Sequence, residues 1–128
     1  MATILCVDDD RALTDLVRYA LERAGFEVRC AHTGHEALSV VRTARPDLVL
    51  LDVTLPDMSG LGVLATIRGF SQVPVVMLSG RVQDEEIAAS FRHGANDYVT
   101  KPFSTPALLG RIDTLLRPST RVLPDELD

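Results

Sequence analysis

The sequence predicts an α/β domain in which five short strands alternate with five helices in a three-layer sandwich. Three observations lead to this fold class. Short β-branched apolar runs recur along the chain, segments of helical periodicity separate them, and glycine, proline or a helix-capping residue marks most boundaries. The chain of 128 residues is long enough for one domain with a real core, and its 46% hydrophobic and 24% charged residues are typical of a globular protein.

The predicted strands are short and largely apolar. Three of them contain uninterrupted apolar runs, at residues 4–7, 48–51 and 75–78. Because such runs are typical of strands covered on both faces, they favour a parallel sheet between two layers of helices. In chain order, the five predicted strands are residues 3–8, 26–31, 48–52, 75–78 and 97–100.

The first two helices are predicted from periodicity and from the residues at their ends. Apolar side chains recur at helical spacing between residues 13 and 24, and Gly25 follows where glycine favours the end of a helix. Thr33 can cap the second helix, with Glu36 completing a capping box and Pro46 stopping the helix.

The remaining three helices are predicted in the same way. Ser59 can cap a third helix that ends near Gly69, and residues 84–93 form a fourth. Ser104 can cap a fifth helix, with Pro106 in its first turn, where the missing N–H does no harm. Five strand–helix units with right-handed crossovers predict a doubly wound parallel sheet of flavodoxin-like strand order 2-1-3-4-5.

Composition and termini narrow the classes of function. The formal net charge of −5 gives no sign of a nucleic-acid surface, and we expect neither a membrane span nor a signal peptide. Cys6 and Cys30 fall in apolar strands, so we expect buried, reduced thiols in a cytoplasmic protein. We expect one domain over residues 1–118, followed at 119–128 by either a C-terminal tail or the start of a linker to an absent output domain.

The most informative feature is a set of polar residues at the predicted strand ends. Three aspartates, residues 8–10, lie where the first predicted strand ends. Two carboxylates at about 4 Å repel by roughly 4 kcal/mol at an effective dielectric near 20. Asp10 is expected to cap the first helix. Parallel strands bring their carboxyl ends to one edge, where open α/β sheets bind ligands. That edge collects Asp8 and Asp9, Asp52, Ser79 with Gly80, and Lys101 with Pro102.

This set of residues suits phosphoryl transfer. Asp9 and Asp52 can hold Mg2+, which prefers oxygen ligands, and Asp8 can orient one of its waters. The Asp52 carboxylate is then a nucleophile for phosphorus. Lys101 balances charge on the phosphoryl oxygens, and Ser79 donates a hydrogen bond to one of them. Gly80 leaves space beside the serine for the incoming group.

These motifs resemble those of the receiver domain of two-component response regulators. The resemblance covers residues 3–116 and rests on residues 7–9, 52, 55–60, 79–80 and 94–103. It implies that Asp52 is the phosphoacceptor and that Asp9 is a direct ligand of Mg2+, with Asp8 beside it. The backbone carbonyl of Thr54 would be the third protein ligand, and Mn2+ could replace Mg2+.

The resemblance also assigns roles at the other strand ends. Ser79 would be the hydroxyl that responds to phosphorylation, and Tyr98 the aromatic residue that turns inward on activation. The peptide bond between Lys101 and Pro102 is usually cis in such proteins. The family implies a signalling switch rather than an enzyme, with only slow autodephosphorylation.

The partners implied by the family are a sensor histidine kinase or phosphotransfer protein, and an output domain or downstream protein. Residues 101–104 resemble the matching segment of receivers that are attached to winged-helix DNA-binding domains. Such receivers commonly dimerise through the fourth helix, fifth strand and fifth helix. Asp97 and Arg111 fit the ion-pair pattern of that face, whereas Ile87 and Ala107 stand where charged residues are usual. A phosphorylation-dependent homodimer is therefore a further hypothesis.

Two alternatives remain open at this point. A phosphatase of the haloacid dehalogenase type also combines an aspartate nucleophile with Mg2+, a hydroxyl and a lysine. In that family, however, the nucleophile lies on the first strand, whereas Asp52 lies on the third. A receiver-like scaffold would bind a partner without phosphorylation. The histidines add no metal site, because His32 and His35 lack partner ligands and His93 suits a helix C-terminus.

Overall fold

The computed structural model describes residues 1–81 and 83–117, and within them strands and helices alternate in the predicted order. Strand and helix boundaries differ from the prediction by one or two residues at several ends. The predicted tail lies outside the described residues, so the domain boundary near residue 118 stays a prediction. The elements are β1 (Thr3–Val7), α1 (Arg11–Arg23), β2 (Glu27–Ala31), α2 (Gly34–Ala44), β3 (Leu48–Asp52), α3 (Gly60–Arg68), β4 (Val75–Ser79), α4 (Asp84–Arg92), β5 (Asp97–Thr100) and α5 (Thr105–Leu116).

The five strands form one parallel sheet in the order β2-β1-β3-β4-β5, which confirms the predicted topology. Val7 lies beside Leu51 across the β1–β3 pair, and Asp52 lies beside Leu78 across the β3–β4 pair. The carboxyl ends of these three neighbouring strands therefore reach the same edge of the sheet.

The sheet is covered by helices on both faces. Along β1, Leu5 and Val7 pack into one core cluster with side chains of α2 and α3. Ile4 and Cys6 pack into a second cluster with α1 and α5. All four strand side chains are fully buried, which explains why the strand is apolar without alternation.

Side-chain caps form where the sequence predicted them. Asp10, Ser59 and Ser104 each accept a hydrogen bond from a backbone N–H in the first turn of α1, α3 and α5, at 3.1 Å in every case. Thr33 caps α2 in the same way, but Glu36 accepts from the N–H of His32 rather than completing the box at Thr33. The start of α4 has no side-chain cap, and three acidic residues in its first turn complement the helix dipole instead.

The small differences at strand ends have local causes. β1 ends before Asp8, because the Asp8 carboxylate accepts the Asp10 N–H at 3.0 Å and turns the chain. β4 extends to Ser79, which pairs in register with Thr100. β2 starts after Phe26, because the Phe26 N–H donates a hydrogen bond to the Leu21 carbonyl at the end of α1. Gly25, between them, has the left-handed backbone conformation that this helix end requires.

The two cysteines are free and lie opposite each other on β1 and β2. Cys6 is buried as predicted, but Cys30 is only half-buried, because β2 is an edge strand. Burial raises the pKa of both thiols. Within the residues described, none of the helices has the length and apolar character needed to cross a bilayer.

A carboxylate of the 55–60 motif connects the β3–α3 loop to α2, a contact that the sequence did not predict. Asp57 accepts hydrogen bonds from the N–H groups of Gly34 and His35 at 2.7 and 3.0 Å, and from the His35 ring at 2.5 Å. The N–H groups at the start of α2 hold the pKa of this carboxyl well below its usual range, and the His35 ring adds to this.

Asp57→Asn is expected to lower the melting temperature at neutral pH. A depressed pKa in the folded state stabilises the protein above the unfolded-state pKa, and this stabilisation is lost as pH falls. The difference in stability between wild type and variant should therefore shrink below pH 3.8, the ordinary aspartate value. Melting curves across this range check it, with the exposed Asp113→Asn on α5 as control; a difference that is constant with pH would contradict it.

Candidate functional site

Three carboxylates meet at the carboxyl edge of the sheet. Ligand oxygens of Asp8, Asp9 and Asp52 all lie within 4.8 Å of one another. Asp8 is fully buried and Asp52 is 6% exposed, whereas Asp9 is exposed. The strand order explains the cluster, because Asp8 and Asp9 follow β1 and Asp52 ends the neighbouring β3.

A single ammonium group faces the two buried carboxylates. Lys101 is the only lysine of the chain, and it follows β5. Its Nζ lies 2.6 Å from Asp8 Oδ2 and 3.4 Å from Asp52 Oδ2. Burial alone would lower the pKa of Lys101, but the hydrogen bond to Asp8 and the charges of both carboxylates raise it, so the side chain stays cationic.

The Asp52 carboxylate is held in place by hydrogen bonds, but its neighbours neutralise its negative charge only in part. Burial raises its pKa, and the charge of Asp8 raises it further, against the opposing effects of the Thr54 N–H and Lys101. The Thr54 N–H donates to Asp52 Oδ1 at 3.1 Å. An additional cation would relieve this excess of negative charge, and an all-oxygen donor set suits Mg2+ or Mn2+.

Ser79 lies at the end of β4 and is buried. Its Oγ accepts the Arg81 N–H at 3.0 Å and donates to Glu86 Oε1 at 3.3 Å. A Cβ added at Gly80 would meet no atom within 4 Å, so this side of the site is open.

Tyr98 on β5 turns inward, and its ring is buried in the core cluster that contains α2 and α3. Its hydroxyl lies 2.9 Å from Glu86 Oε1 and 3.1 Å from the Arg81 carbonyl. Burial raises the pKa of Tyr98, the nearby Ser79 side chain lowers it, and Glu86 adds to the rise. Sequence reasoning missed Glu86, because nothing distinguishes it from the two acidic residues before it.

The loop after β5 forms one wall of a cleft beside the carboxylates. The peptide bond between Lys101 and Pro102 is cis. The cleft has a volume of about 370 Å³ and lies between this loop and the start of α1. It is lined by Asp10, Leu13, Leu16, Lys101, Pro102 and Phe103.

The other residues that the sequence singled out lie outside this cluster. Arg111 bonds to both carboxylate oxygens of Asp97 in the same chain, at 2.7 and 2.8 Å. Ile87 is half-buried against the core, and Ala107 is exposed.

The histidines bond to protein groups. His35 contacts Asp57, His32 contacts Thr14, and His93 contacts the carbonyl of Ala89 in its own helix. Across residues 1–81 and 83–117, the three aspartates form the only cluster of three or more metal-capable side chains.

Sequence comparison decides which family has this arrangement. The family model for the response regulator receiver domain matches residues 4–113. The chain belongs to the response regulator receiver domain family. A receiver domain is a component of two-component signalling, and the family match sets aside the haloacid dehalogenase alternative.

Similar proteins agree with this assignment. The chain is 41% identical over 114 residues to the DNA-binding response regulator MtrA of Mycolicibacterium smegmatis, a match that covers 89% of this chain and 50% of MtrA. This receiver domain thus spans about half the length of that relative.

Solved structures share the receiver fold. A CheY-like receiver domain protein from Methanospirillum hungatei JF-1 has a TM-score of 0.87 at 33% identity, over 91% of this chain and 94% of that one. The BeF3-activated N-terminal receiver domain of RstA from Klebsiella pneumoniae has a TM-score of 0.86 at 33% identity, over 91% and 99%.

Proposed function

We propose that this receiver domain accepts a phosphoryl group on Asp52 from a phosphohistidine of a sensor histidine kinase or phosphotransfer protein. The observation that carries the proposal is the meeting of three carboxylates with the only lysine at one edge of the sheet. A nucleophile, a cation and an oxygen-lined metal site are the parts that phosphoryl transfer needs.

The position of each residue determines its proposed role in the transfer. Asp9 is exposed and Asp52 lies nearby, so their oxygens and the Thr54 carbonyl would hold Mg2+, with Asp8 orienting a bound water. Mg2+ would neutralise charge on the transferred group. Asp8 also holds Lys101 at 2.6 Å, which keeps the ammonium within reach of an oxygen on Asp52.

The transfer itself is a displacement at phosphorus. An Asp52 oxygen forms the new O–P bond while the P–N bond to the donor imidazole breaks, and the imidazole nitrogen keeps the electron pair. Lys101 and the Ser79 hydroxyl would then bind oxygens of the phosphoryl group. The cleft between α1 and the β5–α5 loop offers apolar side chains beside the site, where a donor protein could dock.

The consequences of phosphorylation would pass through Ser79 and Tyr98 to the face formed by α4, β5 and α5. That face would regulate an output domain or a downstream protein in the cytoplasm. A phosphorylation-dependent homodimer through the same face would have to rearrange or extend the ion pair that Arg111 makes with Asp97 inside the monomer.

Incubation with acetyl phosphate tests the proposal. We expect one phosphoryl adduct by intact mass when Mg2+ is present and almost none after chelation, because the clustered carboxylates repel an anionic donor. If no adduct forms and a partner binds equally well with and without acetyl phosphate, the result would favour a receiver-like scaffold. Rapid multiple turnover of a phosphate ester would instead indicate an enzyme.

A further inference from the structure

Glu86 on α4 lies between the two side chains that would respond to phosphorylation. A single carboxylate oxygen, Oε1, lies 3.3 Å from Ser79 Oγ and 2.9 Å from the Tyr98 hydroxyl. Ser79 and Tyr98 are 3% and 9% exposed. One oxygen of one side chain thus links the end of β4 to the tyrosine of β5.

The Ser79 hydroxyl has only one hydrogen to give. A serine hydroxyl donates one hydrogen bond and accepts up to two. The Arg81 N–H already donates to Ser79 Oγ at 3.0 Å, which fixes the position of that oxygen. The hydrogen can therefore go to Glu86 or to a phosphoryl oxygen on Asp52, but not to both.

We infer that Glu86 is a positioning residue that competes with the phosphoryl group for the hydroxyl hydrogen of Ser79. The inference rests on the proposed function. Both acceptors are anionic, and the serine hydrogen must leave Glu86 Oε1, 3.3 Å away, before it can reach a phosphoryl oxygen, so the carboxylate competes for it. When Ser79 turns to the phosphoryl group, Glu86 Oε1 keeps the hydrogen bond from the Tyr98 hydroxyl that it already accepts at 2.9 Å, and it loses only the one from Ser79.

Glu85 provides a matched control. It lies in the same first turn of α4 and carries the same charge, so it experiences the same helix dipole. It is exposed, and among the described residues it makes no side-chain hydrogen bond. A Glu85→Gln variant therefore changes the charge of this turn without touching Ser79 or Tyr98.

The test measures the affinity of beryllofluoride, a phosphoryl analogue, in excess Mg2+ by fluorine NMR of the bound fluorides. Loss of one competing hydrogen bond is expected to tighten binding in Glu86→Ala by about 3- to 10-fold. Glu86→Gln, which keeps a neutral acceptor, should show a smaller gain. Glu85→Gln should match wild type.

A second series in a Ser79→Ala background isolates the coupling. Without the serine hydroxyl, Glu86→Ala should leave the affinity unchanged. Unchanged or weaker binding by Glu86→Ala in the wild-type background would overturn the inference, as would the same tightening in Ser79→Ala or in Glu85→Gln. Failure of the wild-type protein to bind beryllofluoride would instead overturn the proposed function.

Discussion

Lys101→Met is expected to lower the free energy of unfolding by about 3 kcal/mol in the absence of divalent metal, because removing one partner leaves a buried charge unpaired. The ammonium is the cation that both buried carboxylates contact, at 2.6 Å for Asp8 and 3.4 Å for Asp52. Methionine keeps most of the apolar stem, so the loss reports mainly on the charge. Denaturant unfolding with a chelator present measures it.

Divalent metal should offset this loss. A ligand that binds only the folded state stabilises it, and we expect the carboxylates to bind Mg2+ more tightly once the competing ammonium is gone. The gain in stability on adding Mg2+ should therefore be larger in Lys101→Met than in wild type. Arg92→Met, at the end of α4, controls for net charge. An equal gain in both proteins would show that Lys101 and the metal do not share these carboxylates.

Gly60→Ala is expected to destabilise the fold by about 1–3 kcal/mol, through overlap that the backbone must relieve. A Cβ at this position would lie 2.1 Å from the carbonyl oxygen of Asp52 and 2.8 Å from the Cα of Val53. Both contacts are backbone atoms and cannot rotate away. Because the displaced segment includes Asp52, the yield of phosphoryl adduct should fall as well.

Gly62→Ala, two residues further along α3, is the matched control. Its added Cβ would make only an ordinary contact, 3.8 Å from the end of the Met58 side chain. Alanine in a helix interior is favoured over glycine by about 0.5–1 kcal/mol, so this variant should be unchanged or slightly more stable. Equal stability of the two variants in thermal unfolding would contradict the steric account.

Much of the fold could be predicted because the signals are local. Continuous apolar runs such as residues 48–51 indicate a strand covered on both faces, and caps such as Ser59 mark helix starts. The site followed from topology, since parallel strands deliver their last residues to one edge. Asp8 and Lys101 are 93 positions apart in sequence and yet make contact for this reason.

The features that the sequence did not predict depend on contacts between residues far apart in the chain, or on the position of a strand in the sheet. Glu86 follows two other acidic residues in the first turn of α4, and only the folded arrangement shows which of them reaches Tyr98. Asp57 caps a helix 23 positions away, a contact that no local capping rule describes. Cys30 is less buried than its apolar neighbours suggested because its strand is at the edge.

The identity of the phosphoryl acceptor is the central claim, and mass analysis of Asp52→Asn tests it most directly. Asparagine keeps the shape of the side chain but lacks the nucleophilic carboxylate. With acetyl phosphate and excess Mg2+, wild type is expected to gain one phosphoryl group, located by peptide mapping to the peptide that contains Asp52. The variant should remain fold-intact by circular dichroism and gain none; an undiminished adduct in Asp52→Asn would contradict the account.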